Sequence, residues 1–122
     1  MKKKDGVKLF LLEPCMRPAL VICERVFKKY GLDFVITETV GGIHSAGSLH
    51  YYGLAIDVRN YWWNPFAKDK IKRIVKELRL AFKGHYDVVE EKNHIHIEIR
   101  DYLKYFANPN LFTVNIHKEL LG

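Results

Sequence analysis

Apolar residues recur at three- and four-residue steps in two stretches of the chain and alternate with polar residues in others, and these two periods separate helices from strands. Leu20, Cys23, Phe27 and Tyr30 follow Arg17-Pro18, where proline is tolerated in a first helical turn, and Gly31 closes a core-facing helix. A second helix is predicted from Asn64-Pro65, an N-cap and first-turn proline, with the stripe Ile71, Ile74, Val75, Leu78 and Phe82 ending at Gly84. Residues 33–38 are rich in β-branched and aromatic side chains and read as a strand; residues 39–48, with Gly41, Gly42 and Gly47, read as a loop. Residues 54–59 form another strand, and 86–90 with 94–99 a hairpin around Lys92-Asn93. Beyond Asp101 the pattern gives a helical turn at 102–106, a break at Asn108-Pro109 and an edge strand at 112–116. The order helix, strand, strand, helix, hairpin predicts an α+β domain: a small, mostly antiparallel sheet backed by helices.

Length and composition agree with that picture. The 122 residues, 48% hydrophobic and 28% charged, suit a single soluble globular domain. The apolar run at 9–12 is too short for a signal-peptide core or a membrane span, although Lys2, Lys3 and Lys4 imitate a basic leader, so a product made in the cytoplasm is expected. Cys15 and Cys23 are read as packing residues of a reducing compartment, neither bridged nor catalytic. Much of the net charge of +6 falls on the second helix, at Lys68, Lys70, Lys72, Arg73, Lys76, Arg79 and Lys83. Such a run is read as a solvated helix face, compatible with weak attraction to an anionic polymer.

Alternation then locates the chemistry. In 54–59, Leu54, Ile56 and Val58 share one face while Ala55, Asp57 and Arg59 share the other. In 94–99, three isoleucines face one way, and His94, His96 and Glu98 the other. His50 precedes Asp57 by seven residues and would point away from it on a straight strand; a bend at Gly53 swings the imidazole back. A single strand histidine is usually hydrogen-bonded or solvated, and His85 and His117 are read so. A carboxylate inside an apolar strand is costly without a cation, which for Asp57 means a metal or an arginine such as Arg59 or Arg100. Imidazole and carboxylate ligands with a fourth position open are what a catalytic zinc ion requires.

The segment Ser48-Leu49-His50-Tyr51-Tyr52-Gly53-Leu54-Ala55-Ile56-Asp57 resembles the S-x-H-x-x-G-x-A-x-D signature of the zinc D-Ala-D-Ala carboxypeptidases and dipeptidases (VanY and VanX type). Glu90-Glu91-Lys92-Asn93-His94-Ile95-His96 matches the second half of that pattern, an acidic residue followed by H-x-H. The region is also similar to the Hedgehog N-terminal signalling domain, including a histidine-serine pair, here His44-Ser45, ahead of the first ligand. Together these are the LAS-type metallopeptidases, and the resemblance covers roughly residues 33 to 100. It implies a Hedgehog/DD-peptidase-like fold, Zn2+ bound by His50, Asp57 and His96, His94 beside the metal to hold the substrate or oxyanion, and Glu90 as general base. Glu91 is the competitor: a two-residue turn at Lys92-Asn93 pairs Glu91 with His94, whereas a three-residue turn selects Glu90. The Hedgehog-like spacing favours Glu90.

One departure from the family is visible. Residues 39–49 hold no arginine of the kind with which many family members stabilise the tetrahedral intermediate; the Hedgehog-like resemblance implies His44 in that electrophilic role, and both carboxypeptidase and endopeptidase action stay open. The resemblance implies a zinc peptidase acting on peptidoglycan stem peptides; a monomer is expected, the lack of a leader fits a phage or prophage lysis enzyme or a cytoplasmic dipeptidase, and Tyr51, Trp62 and Trp63 are placed at the cleft rim or in packing. The alternative is a non-catalytic, zinc-stabilised Hedgehog-like binding module, which needs no carboxylate at Glu90 or Glu91. A nucleic-acid binder rests on charge alone and lacks a reading motif.

Overall fold

The computed structural model describes residues 1–41, 47–60 and 66–122. His44, Trp62, Trp63 and the Asn64-Pro65 helix start lie outside the described residues, so the roles expected of them are not addressed by the structure. The described residues form an α+β fold of five strands and four helices. The strands are β1 (Lys2–Lys3), β2 (Val35–Glu38), β3 (Ala55–Arg59), β4 (Tyr86–Glu90) and β5 (His94–Ile99). The helices are α1 (Arg17–Lys29), α2 (Ala67–Ala81), α3 (Tyr102–Ala107) and α4 (Pro109–Leu121). The sheet order is β1-β2-β3-β5-β4. β1 runs parallel to β2, and the other three pairings are antiparallel.

The sheet has one apolar and one polar face because β3 and β5 alternate in register. Ile56 opposes Ile97 and Val58 opposes Ile95, all fully buried, while Asp57 opposes His96 and Ala55 opposes Glu98. The apolar face joins a core to which α1 contributes Ile22, Cys23, Val26 and Phe27, and α2 contributes Ile71, Ile74, Val75 and Leu78. Each such side chain stabilises the fold by roughly 1.5–3 kcal/mol through burial, gross of the entropy it loses. The α1 stripe is turned slightly from the expected one: Cys23 and Phe27 are buried, but Leu20 and Tyr30 are only half-buried and Ile22 and Val26 take the interior. Both cysteines are free and buried, and burial pushes the Cys15 thiol up to about 12 and that of Cys23 higher still, so packing is their role. No helix among the described residues is long and apolar enough to cross a membrane.

The C-terminal segment corrects the sequence reading. Residues 112–116 are not an edge strand but the middle of α4. Asn108-Pro109, expected as a break, is a helix start: the Asn108 side chain accepts a hydrogen bond from Leu111 N at 3.2 Å, and Pro109 occupies the first turn. The β-branched run is overridden by packing, since Ile116 is buried and Phe112, Leu120 and Leu121 lie against the core. The two-residue β1 carried no alternation to announce it.

Two backbone irregularities set up the polar face. Between β2 and β3 the register slips, Ile36 opposing Val58 and Glu38 opposing Asp57, a bulge that redirects the chain leaving β2 toward Thr39. Ahead of β3, residues Leu49–Tyr52 form a 3-10 turn that ends at Gly53 with φ of 71°. A Cβ on Gly53 would lie 2.4 Å from the Leu11 carbonyl oxygen, and the Gly53 carbonyl accepts from Glu13 N at 2.9 Å. Gly53→Ala should therefore cost about 1–3 kcal/mol through left-handed strain and this clash. Urea unfolding should show a lower midpoint at unchanged slope; an unaltered midpoint would show that the bend tolerates a side chain.

Candidate metal centre

Three side chains meet on the polar face where the 3-10 turn crosses the β3–β5 ladder. His50 Nε2 lies 3.1 Å from Asp57 Oδ1 and 3.2 Å from His96 Nδ1, and His96 Nδ1 lies 3.1 Å from the same Asp57 oxygen. The three atoms make a nearly equilateral triangle. Donors about 2.0–2.1 Å from a tetrahedral ion stand roughly 3.3 Å apart, so the triangle has the dimensions of one face of such a site. Each residue reaches it by a different route: His50 on the 3-10 turn begun by Ser48, whose hydroxyl accepts from His50 N; Asp57 and His96 as opposed residues of β3 and β5.

The hydrogen bonds behind the triangle fix what it presents. His50 is 2% exposed, and its Nδ1–H donates to the Thr39 carbonyl at 2.7 Å, which leaves an Nε2 lone pair facing inward. On His96 the Nε2–H donates to Glu98 Oε1 at 2.6 Å, leaving an Nδ1 lone pair facing inward. With the Asp57 carboxylate, three acceptors converge and repel one another unless a cation or a proton lies between them. Burial pushes the Asp57 carboxyl upward, but the hydrogen bonds and positive charge that His50 and His96 supply when protonated outweigh it and hold it well below the usual carboxylate range. Hydrogen bonds to Asp57 and Glu98 push His96 up to about 9. A proton on His96 thus substitutes for an ion. The His50, Asp57 and His96 group could hold a metal ion.

Around the triangle, the structure separates the remaining candidates. His94 lies with its Nε2 3.5 Å from Asp57 Oδ1 and 3.4 Å from Glu91 Oε2, on the solvent side. Glu91 N donates to the His94 carbonyl at 2.8 Å, so the hairpin turn is the two-residue one, and the Asn60 amide donates to the Glu91 carbonyl at 2.9 Å. Glu90 opposes Ile95 in the register, on the isoleucine side of the sheet. Glu90, expected beside His94, thus lies on the other face, and Glu91 is the carboxylate on the His94 side, because one residue of turn length flips every side chain to the other face. Arg100 is engaged by Asp87 at 2.7 and 2.6 Å and is not the partner of Asp57; Arg59 stands opposite His94, on the Asp57 face. His85 pairs with Glu119, and His117 is exposed on α4.

Two supporting residues escaped the sequence reading. Glu98 was placed on the correct face by alternation, and its spacing from His96 was the available signal for a carboxylate behind a ligand. Thr39 gave none, because its carbonyl reaches His50 only through the bulge. Beside His96 and Glu98 opens a cleft of about 520 Å³, bounded also by Ser48, Leu49, Tyr52, Tyr102 and Phe106. Tyr51, a candidate for the rim, is 45% exposed.

No protein-family model, curated protein or solved structure matches the chain. The capacity to hold a metal rests on the geometry above.

The pH dependence follows from His96. Its folded-state pKa is raised above the ordinary value of about 6.5, so in metal-stripped protein its stabilising contribution is full below pH 6.5 and lost as pH rises through about 9. Metal must displace that proton, so affinity should rise over the same window. The melting temperature of stripped protein should fall between pH 6.5 and 9.5 while the increment produced by added metal grows; at 100-fold excess over Kd that increment corresponds to about 2.7 kcal/mol. A metal increment that shrinks with rising pH would contradict the ligand assignment.

Proposed function

We propose that the chain is a zinc-dependent peptidase of the LAS type, acting on peptide stems of bacterial peptidoglycan. The observation that carries this reading is the triangle of His50 Nε2, Asp57 Oδ1 and His96 Nδ1 with a carboxylate–imidazole pair, Glu91 and His94, beside it on the solvent side. Two imidazoles and one carboxylate with an open position are the donor set of a catalytic rather than a structural zinc. When bound, zinc supplies Lewis acidity, activating water for attack and polarising the scissile carbonyl.

The chain's own residues perform the proton transfers. Glu91, half exposed and held at its backbone on both sides, accepts the proton of the attacking water and returns it to the leaving amine. His94 stands between Glu91 and Asp57 and donates a hydrogen bond from Nε2 to the oxyanion. Thr39 and Glu98 hold the two ligand imidazoles in the tautomers that face the ion. A non-catalytic binding module would need the triangle but not Glu91 beside it, and this favours the enzyme. The peptidoglycan substrate rests on the resemblance of residues 48–57 and 90–96 to the family's signatures.

Zinc-loaded protein incubated with peptidoglycan fragments should release a product that a chelator suppresses, and mass analysis names the bond. Loss of Glu91 by Glu91→Gln should lower kcat about 100- to 10,000-fold with zinc content unchanged. Glu90→Gln should leave kcat within a few-fold, because its register position faces away. Loss of turnover in Glu90→Gln but not in Glu91→Gln would overturn the assignment, and absence of any zinc-dependent product would overturn the peptidase reading.

A further inference from the structure

The cleft beside the metal centre has a chemistry that the hydrolytic step does not use. Three aromatic rings run along it, Tyr52 edge-on to Phe106 at 5.8 Å and Phe106 edge-on to Tyr102 at 6.2 Å. Each is about half exposed, at 54%, 49% and 41% for Tyr52, Phe106 and Tyr102. Glu98 shares the cleft with His96, and among the described residues that line it there is no lysine or arginine. In a chain of net charge +6, a concavity with a carboxylate and three ring faces but no cation among those residues selects for one kind of guest.

We propose that this cleft is a subsite for a primary ammonium at the end of an aliphatic stem, as in lysine, on a substrate residue near the scissile bond. The identification of the guest as a substrate residue rests on the peptidase reading; the preference for a cation rests on the cleft. Glu98 spends one oxygen on His96 Nε2–H; it also borders a second cavity with Arg79 and Arg100, which are engaged by the Val88 carbonyl and by Asp87 and make no ion pair with Glu98 among the described residues. Ring faces carry negative potential and attract an ammonium, most strongly where water is partly excluded. The aliphatic stem covers the exposed ring area while the charged end reaches the carboxylate.

The ladder also sets a direction. Successive rungs on the polar face are Arg59 opposite His94, Asp57 opposite His96, and Ala55 opposite Glu98. They read cation, metal, anion. Glu98 follows His96 by two residues on the same face, and its carboxylate lies 2.6 Å from His96 Nε2, on the side of that ring away from the triangle. A free carboxylate in the cleft would meet the like charge of Glu98, whereas the Arg59 end of the ladder attracts it.

The test uses two synthetic stem peptides, identical except for lysine or Nε-acetyl-lysine at the third position. They are titrated calorimetrically into zinc-loaded Glu91→Gln protein, and given to the wild type for hydrolysis. The lysine peptide should bind about tenfold more tightly or better. That preference should collapse to within about twofold when Glu98→Gln is added, a change that keeps an acceptor for His96, with zinc held in excess over its weakened affinity and its content measured in parallel. Tyr102→Leu should weaken the lysine peptide more than the acetylated one. Equal affinities, no binding of either peptide, or an equal loss for both on Glu98→Gln would overturn the subsite, the last being the signature of a residue that only orients His96. Tighter binding of an N-acetylglucosamine disaccharide than of the lysine peptide would overturn it in favour of a sugar platform. A lysine preference in binding with neither peptide cleaved sustains the subsite and removes the peptidase reading.

Discussion

Three lone pairs converging within 3.2 Å on the polar face of the sheet are the constraint around which the rest of this structure is arranged. Acceptors so close repel one another unless positive charge lies between them, and a buried carboxylate among them adds its own desolvation cost. The fold meets this cost with fixed partners rather than with flexibility. Thr39 and Glu98 each take the hydrogen from the far side of one imidazole, so both rings present acceptors inward. A proton on His96 satisfies part of the triangle, and a metal ion could meet all three atoms at once.

The apolar face of the same sheet supplies the rigidity. Ile56, Val58, Ile95 and Ile97 are fully buried against α1 and α2, so the ladder that carries Asp57 opposite His96 cannot slide without exposing them. A slip of one residue would turn every ligand to the core and every isoleucine to solvent. The geometry of the triangle and the hydrophobic packing are thus two readings of one alternation. The basic stretch of α2 belongs to the layer on the isoleucine side of the sheet.

Much of this was legible in the sequence. The alternation of β5 placed His94, His96 and Glu98 together, the alternation of β3 placed Asp57, and Gly53 announced a bend whose left-handed backbone and close contact with Leu11 the structure explains. The choice between Glu90 and Glu91 was not, because it depends on one residue of turn length and the two carboxylates differ in nothing else. Spacing borrowed from a resemblance favoured Glu90, and the backbone bond between Glu91 and His94 favoured its neighbour. The Thr39 carbonyl and the short parallel β1 depend on contacts between distant segments, which leave no local period. In α4, strand propensity competed with a capped proline start and a buried Ile116, and long-range packing decided.

His50, Asp57 and His96 could hold a metal ion, and the proposal is that this ion is zinc with one position left open. X-ray absorption at the zinc edge of protein loaded with one equivalent tests it directly. A four-coordinate site is expected, with two imidazoles and two oxygen ligands, one from Asp57 and one from solvent, at about 2.0–2.1 Å. A six-coordinate oxygen shell without imidazole scattering, or four protein ligands and no solvent, would contradict it.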